Sequence, residues 1–181
     1  MTVSLSGHAV LDNPAWGDSR LASAVIPGLK DVKLTLRREA LPLFLHLAAT
    51  MSKHIKTCER RDTWSYGYRK ARAANAYSDH AAGMAIDLWS DSIGAQRWPT
   101  TMTRAQAAHV ITILNNYRTS KGARIFGWGA RRELGGDYGR MNDSMHFYVR
   151  PGVSLTDMKW SQARLGIGDD GWAVKAKPRA A

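Results

Sequence analysis

Apolar and polar residues alternate at Val32, Leu34 and Leu36, a period of two that predicts a short strand. From Leu41 the period lengthens. Leu41, Phe44, Leu45, Ala48 and Ile55 fall near i, i+3, i+4 spacing, the apolar stripe of a packed helix, and Pro42 is tolerated in its first turn. Ser65 to Arg69 and Met84 to Trp89 read as strands, with Gly83 marking a bend. A second helix follows, where Thr103 and Gln106 form a capping box and Ala107, Val110, Ile111 and Leu114 its stripe. Further strands are expected around Ile125-Phe126 and from Met145 to Val149, on either side of a Gly-rich loop that ends at Gly139. This order predicts a small α+β fold, with helices packed on an antiparallel sheet.

The pattern divides the chain in three. Residues 1–31, rich in Gly, Pro, Asn and Asp, read as an irregular segment packed on the domain. Residues 32–166 form the domain, and 167–181 read as a flexible basic tail or linker. A length of 181 residues suits one compact domain, and a 44% hydrophobic content excludes a disordered chain. Met1 to Val10 carry no signal-peptide core, and Leu41 to Met51, the longest apolar run, is too short to span a bilayer. The expectation is a monomer made in the cytoplasm, without membrane insertion.

One cysteine, Cys58, excludes an internal disulfide and a Cys-rich zinc site. It reads as inert packing, so any metal falls to His and carboxylate side chains. The net charge of +11 attracts polyanions, either nucleic acid or an anionic cell envelope. The basic clusters at Arg37-Arg38, Arg60-Arg61, Arg69 to Arg72 and Arg131-Arg132 match no nucleic-acid module, so no specific nucleic-acid partner is expected. Seven Trp and six Tyr are many for this length, and some are expected at a binding surface. His46, His54 and His109 ride on the two helices and read as surface or packing residues.

Two segments concentrate chemistry: Ser78-Asp79-His80-Ala81-Ala82-Gly83-Met84-Ala85-Ile86-Asp87 and Asp143-Ser144-Met145-His146-Phe147. A hydrolytic zinc takes three protein ligands of imidazole or carboxylate type and keeps one open position. His80 precedes the bend and Asp87 ends the strand after it, so a Gly-hinged turn can aim both at one point. His146 opens a strand that can lie beside the first. Asp143, three residues earlier, is placed to act as general acid/base without ligating the metal. Singly, each residue has a plainer reading: Asp87 neutralising an Arg, His146 a core histidine, Asp143 a turn residue. Their combination carries the assignment.

These residues resemble the Ser-x-His-x-x-Gly-x-Ala-x-Asp and Glu/Asp-x-x-His signatures of the zinc D-Ala-D-Ala carboxypeptidase family, which includes VanY- and VanX-like enzymes and phage endolysins that cleave L-alanyl-D-glutamate bonds. Ser78, His80, Gly83, Ala85 and Asp87 match the first signature, Asp143 and His146 the second. Tyr66-Gly67-Tyr68-Arg69 resembles the family's Gly-Tyr-Arg segment, and Phe126-Gly127-Trp128-Gly129 its Trp-Gly-Gly stretch. The resemblance covers about residues 32 to 150. It implies one zinc on His80, Asp87 and His146, with Asp143 catalytic. Arg69 is implied to bind substrate or stabilise the transition state, with Ser78, Tyr68 and Trp128 as further substrate-binding candidates. Ala130-Arg131-Arg132-Glu133-Leu134 departs from the family, where the chain often runs straight on, and Ser144 stands where Pro is frequent.

The leading expectation is a peptidoglycan peptidase of bacteriophage endolysin type, cutting L-Ala–D-Glu in bacterial cell wall after release from the host. A D-Ala-D-Ala carboxypeptidase or dipeptidase is the alternative within the class. A non-catalytic wall-binding or basic nucleic-acid-binding protein is the alternative outside it.

Overall fold

The computed structural model describes residues 2–11, 19–71, 75–96, 99–139 and 141–172. It has an α+β fold. Two strands, β1 (Leu21–Val25) and β2 (Lys33–Arg37), pair antiparallel, with Ser23 opposite Thr35. Helix α1 (Leu41–His54) follows, then β3 (Ala85–Asp87), α2 (Arg104–Leu114), β4 (Phe126–Trp128), β5 (His146–Val149) and α3 (Leu155–Leu165). The last three strands form a second antiparallel sheet in the order β3-β5-β4.

The α1 stripe read from the sequence understates its burial. Leu43 and Leu47 are buried as well as Leu41, Phe44, Leu45, Ala48 and Met51. A helix apolar around most of its circumference must be covered on several sides. Here β1 and β2 pack on it from one direction and α2 and α3 from others. Its Phe44 ring lies 4.8 Å from Phe126, and Tyr117 meets Phe126 edge-on at 5.1 Å. This aromatic cluster joins α1 to the second sheet.

Four expectations need correction. Residues 1–31 are not all irregular, because Leu21–Val25 form β1, a ladder partner for the predicted β2. Ser65 to Arg69 do not form a strand. Trp64 alone bridges to Asp87, while Tyr66 N–H donates to the Thr35 carbonyl and Thr35 N–H to Ser65 Oγ. The segment is therefore threaded between β2 and β3. Helix α3 lies unmarked in the sequence reading, although Ser154 and Asp157 close a capping box at its start. Finally, residues 167–172 are not tail. Ile167 is buried, and Gly171 comes so close to α1 that a Cβ would meet Leu45. Residues 173–181 of the expected tail, and Arg72 of the basic cluster, lie outside the described residues. No helix among the described residues is long and apolar enough to cross a membrane.

Candidate metal centre

The site is assembled by one turn and one strand pairing. Ser78 caps a short 3-10 turn, Asp79–Ala82, by accepting a hydrogen bond from His80 N–H. Gly83 closes the turn in the left-handed region, at φ 65°, and an added Cβ would sit 2.6 Å from the Arg37 backbone nitrogen. Only glycine meets both demands. The chain then enters β3, which ends at Asp87. In the β3–β5 ladder Asp87 stands directly opposite His146. The turn supplies His80, and the ladder supplies the other two groups.

His80, Asp87 and His146 are all buried, and one ligand atom from each lies within 4.8 Å of the others. His80 Nε2 is 3.1 Å and His146 Nδ1 3.0 Å from the same oxygen, Asp87 Oδ1. The outer edge of each ring faces an acceptor. His80 Nδ1 donates to the Ser65 carbonyl at 2.5 Å, and His146 Nε2 lies 3.9 Å from Asp79 Oδ2. In the neutral rings this arrangement leaves the inner lone pairs turned on a carboxylate oxygen. A ring proton satisfies these contacts in the metal-free protein, and a metal ion among the three atoms can replace it. A tetrahedral ion with bonds of about 2.1 Å sets its ligand atoms about 3.4 Å apart, close to the observed separations. The group can hold a metal ion.

Electrostatics follow from the same contacts. Burial opposes charge on Asp87, but His80 and His146 outweigh it and hold the carboxyl well below its ordinary range. Burial likewise opposes protonation of His146. Asp79 and Asp87 prevail there, and its pKa is pushed up to about 9. Asp143 behaves differently. Burial pushes its carboxyl above the ordinary value, against the pull of His146 and Gln96. Its Oδ1 is buried without a hydrogen-bond partner among the described residues, while the Asp143 carbonyl accepts from His146 N–H. A buried acceptor left open beside a ligand cluster is available to a substrate or a water.

Two cavities meet at the cluster. One, of about 150 Å³, is lined by residues that include Leu5, Asp79, Gln96, Tyr138, Met141 and Asp143. The other, of about 460 Å³, is lined by residues that include Trp64, Ser65, Gly67, Lys70 and Ser90. His80, Asp87, Arg69 and Met145 line both. Arg69 is exposed at their shared rim. A larger cavity, of about 640 Å³, is lined by Arg118, Lys121, Arg124 and Arg150 among others and contains no histidine.

The remaining expected site residues divide. Ser78 lines the smaller cavity but is occupied as a cap. Trp128 is fully buried, stacks on Phe147 at 6.2 Å, and donates from Nε1 to the Ser144 carbonyl. It supports the loop that carries Asp143 and cannot be a substrate floor. Tyr68 lines neither cavity. Its hydroxyl hydrogen-bonds to that of Tyr77 on the outer surface. Cys58 is buried and burial pushes its thiol up to about 12, as inert packing requires. His46 pairs with the Tyr117 hydroxyl, and His54 and His109 are exposed.

The cavity residues that sequence reasoning did not single out include Asp79, Tyr138 and Trp64. Asp79 occupies a variable place in the first signature, yet its burial is only 2% short of complete. The signal was its adjacency to His80, since a carboxylate next to a ligand histidine is a candidate for orienting a ligand. Nothing in the sequence marked Trp64, which is 61% exposed beside the larger cavity. No protein-family model, characterised protein or solved structure matches the chain.

Proposed function

We propose that the chain is a zinc-dependent peptidoglycan peptidase of endolysin type that hydrolyses the L-Ala–D-Glu bond of stem peptides. The observation that carries this reading is the convergence of His80, Asp87 and His146 beside a half-buried carboxylate, Asp143, that is not one of the three. Two imidazoles and one carboxylate are a donor set suited to hydrolytic zinc, whereas calcium and magnesium favour all-oxygen sites. When bound, zinc supplies a Lewis acid that polarises a carbonyl and acidifies water.

The chain's own residues supply the rest. Asp143 accepts a proton from the attacking water as its oxygen bonds to the scissile carbon. It returns that proton to the amide nitrogen as the C–N bond breaks. Burial raises the proton affinity of Asp143, which suits a group that must both take and give. Arg69, at the rim of both cavities, is placed to bind a stem-peptide carboxylate. Two cavities that share His80, Asp87, Arg69 and Met145 as lining give room for a peptide at the cluster.

The test is zinc content and wall lysis measured together. Wild-type protein is expected to bind one zinc and clear a suspension of bacterial walls. His80→Ala and His146→Ala are expected to lose both properties. A His80→Ala protein that keeps full zinc content would refute the ligand assignment.

A further inference from the structure

The turn that carries His80 and the strand that carries His146 are tied by a third piece of chain, residues 2–11. Leu5 N–H donates to the Tyr77 carbonyl just before the turn, and Leu11 N–H to the Ala81 carbonyl within it. His8 Nε2 donates to the Val149 carbonyl at the far end of β5, at 2.9 Å. Ser4, Ser6, Val10 and Leu11 are buried in this contact. Its centre is Asp79, which is 2% exposed. Asp79 Oδ1 accepts from Ser6 N–H at 3.0 Å, and Oδ2 accepts from Ser6 Oγ at 2.9 Å. Oδ2 also faces His146 Nε2 at 3.9 Å.

A buried carboxylate with only neutral hydrogen-bond donors is costly unless a cation or a strong dipole compensates it. For Asp79 that compensation is His146, on the ring edge opposite the one turned to Asp87. The distance of 3.9 Å is ion-pair range and too long for a direct hydrogen bond, so the coupling is electrostatic. It favours the tautomer with the proton on Nε2, and so keeps the lone pair of Nδ1 directed at the cluster. Ser6 fixes the carboxylate that does this. Leu5, next to it, forms part of the cavity wall shared with Asp143.

The geometry points to Asp79 as the positioning residue of His146, locked in place by Ser6, so that residues 2–11 complete the metal site from outside the domain's signatures. This rests on the metal reading above. Removing an outer carboxylate that orients a ligand histidine typically weakens metal binding about 10- to 100-fold.

Asp79→Asn tests it with little steric change. The amide oxygen still accepts from Ser6 N–H and its NH2 can donate to Ser6 Oγ, so the packing is kept and only the charge is lost. Zinc affinity of the full chain is measured by competition with a chromophoric chelator, on the alkaline side where protons compete least for His146. Thermal melting of the metal-free protein is measured alongside. The expected result is a zinc Kd weakened about 10- to 100-fold with a cooperative melt preserved. Ser6→Ala, which loosens the carboxylate without removing it, is expected to weaken zinc by a smaller factor, a few-fold. Leu47→Ala, a core truncation in α1 outside the segment and the cluster, is expected to lower the melting temperature while leaving zinc affinity unchanged. A purely structural role would move melting temperatures in all three and zinc affinity in none. Wild-type zinc affinity in Asp79→Asn overturns the inference. If that variant does not fold, wild-type affinity in Ser6→Ala overturns it instead. A wild-type chain that binds no zinc refutes the metal reading, and this outcome is separable because it appears before any variant is made.

Discussion

Asp143→Asn is nearly isosteric and keeps hydrogen-bonding capacity, so it separates proton transfer from metal binding. The variant is expected to fold and hold zinc normally, with turnover reduced about 10²- to 10⁴-fold and substrate affinity little changed. Loss of zinc would make Asp143 a ligand. Full turnover would move the base elsewhere. A second residue-scale consequence concerns His146 in the metal-free protein. Its pKa is raised from 6.5 to about 9, with Asp79 and Asp87 outweighing burial. The stability this contributes is complete below pH 6.5 and is lost as the pH rises through about 9. Asp79 and Asp87 are shifted the other way, so their contribution is present above the ordinary carboxylate range and lost as acid reaches their lowered values. The melting temperature of metal-free protein should therefore fall between pH 6.5 and 9, and His146→Gln should flatten that limb. An unchanged slope in the variant would contradict the assignment. At this scale the sequence brought out His80, Asp87 and His146, the three residues whose side chains cluster and could hold a metal ion. It did not mark Asp79, whose partner Ser6 is 73 positions away.

At the scale of elements, the loop between β4 and β5 is held by close backbone approach as well as by the side chains of Trp128 and Asp137. Gly129 N–H donates to the His146 carbonyl, and Asp143 N–H donates to the Gly129 carbonyl. A Cβ on Gly129 would lie 2.7 Å from the Asp143 carbonyl oxygen and 3.1 Å from His146 Cβ. Gly129→Ala is expected to destabilise the fold by about 1–3 kcal/mol and to weaken zinc, because the strand and the loop must separate. Melting and metal titration of the same preparation check both. Trp128→Ala, next to it, is expected to cost about 3–5 kcal/mol of stability, as a lost core ring does, while a shorter peptide substrate binds the surviving folded protein unchanged. The β3–β5 pair and both early helices were legible from periodicity and the Thr103 capping box. Strand β1 was not, because Leu-Ala-Ser-Ala-Val is mostly small and only partly buried. Helix α3 escaped because only Met158 and Ser161 are buried on it, too few to make a stripe.

For the whole molecule, the net charge is +11. If it speeds encounter with an anionic wall, lysis should decline as ionic strength rises, since exposed charges are screened over about 8 Å at 0.15 M. Hydrolysis of a small soluble peptide should change much less, and equal salt sensitivity on both would remove the steering role. Fold class and the cluster of His80, Asp87 and His146 were accessible from one sequence, the first through local periodicity and the second through two short segments that the β3–β5 ladder brings together. The packing of residues 2–11 and 167–172 was not, because loop-like composition says nothing about which surface a segment covers. The central claim is that zinc-loaded protein cuts a particular amide of the wall. Mass spectrometry of purified peptidoglycan after digestion tests it most directly. The expected products are stem peptides with a new D-Glu amino terminus, leaving L-Ala on the glycan, and their absence with Asp143→Asn. New ends only at terminal D-Ala would move the cut to the carboxypeptidase alternative, and no new peptide ends with zinc-loaded wild-type protein would contradict the claim outright.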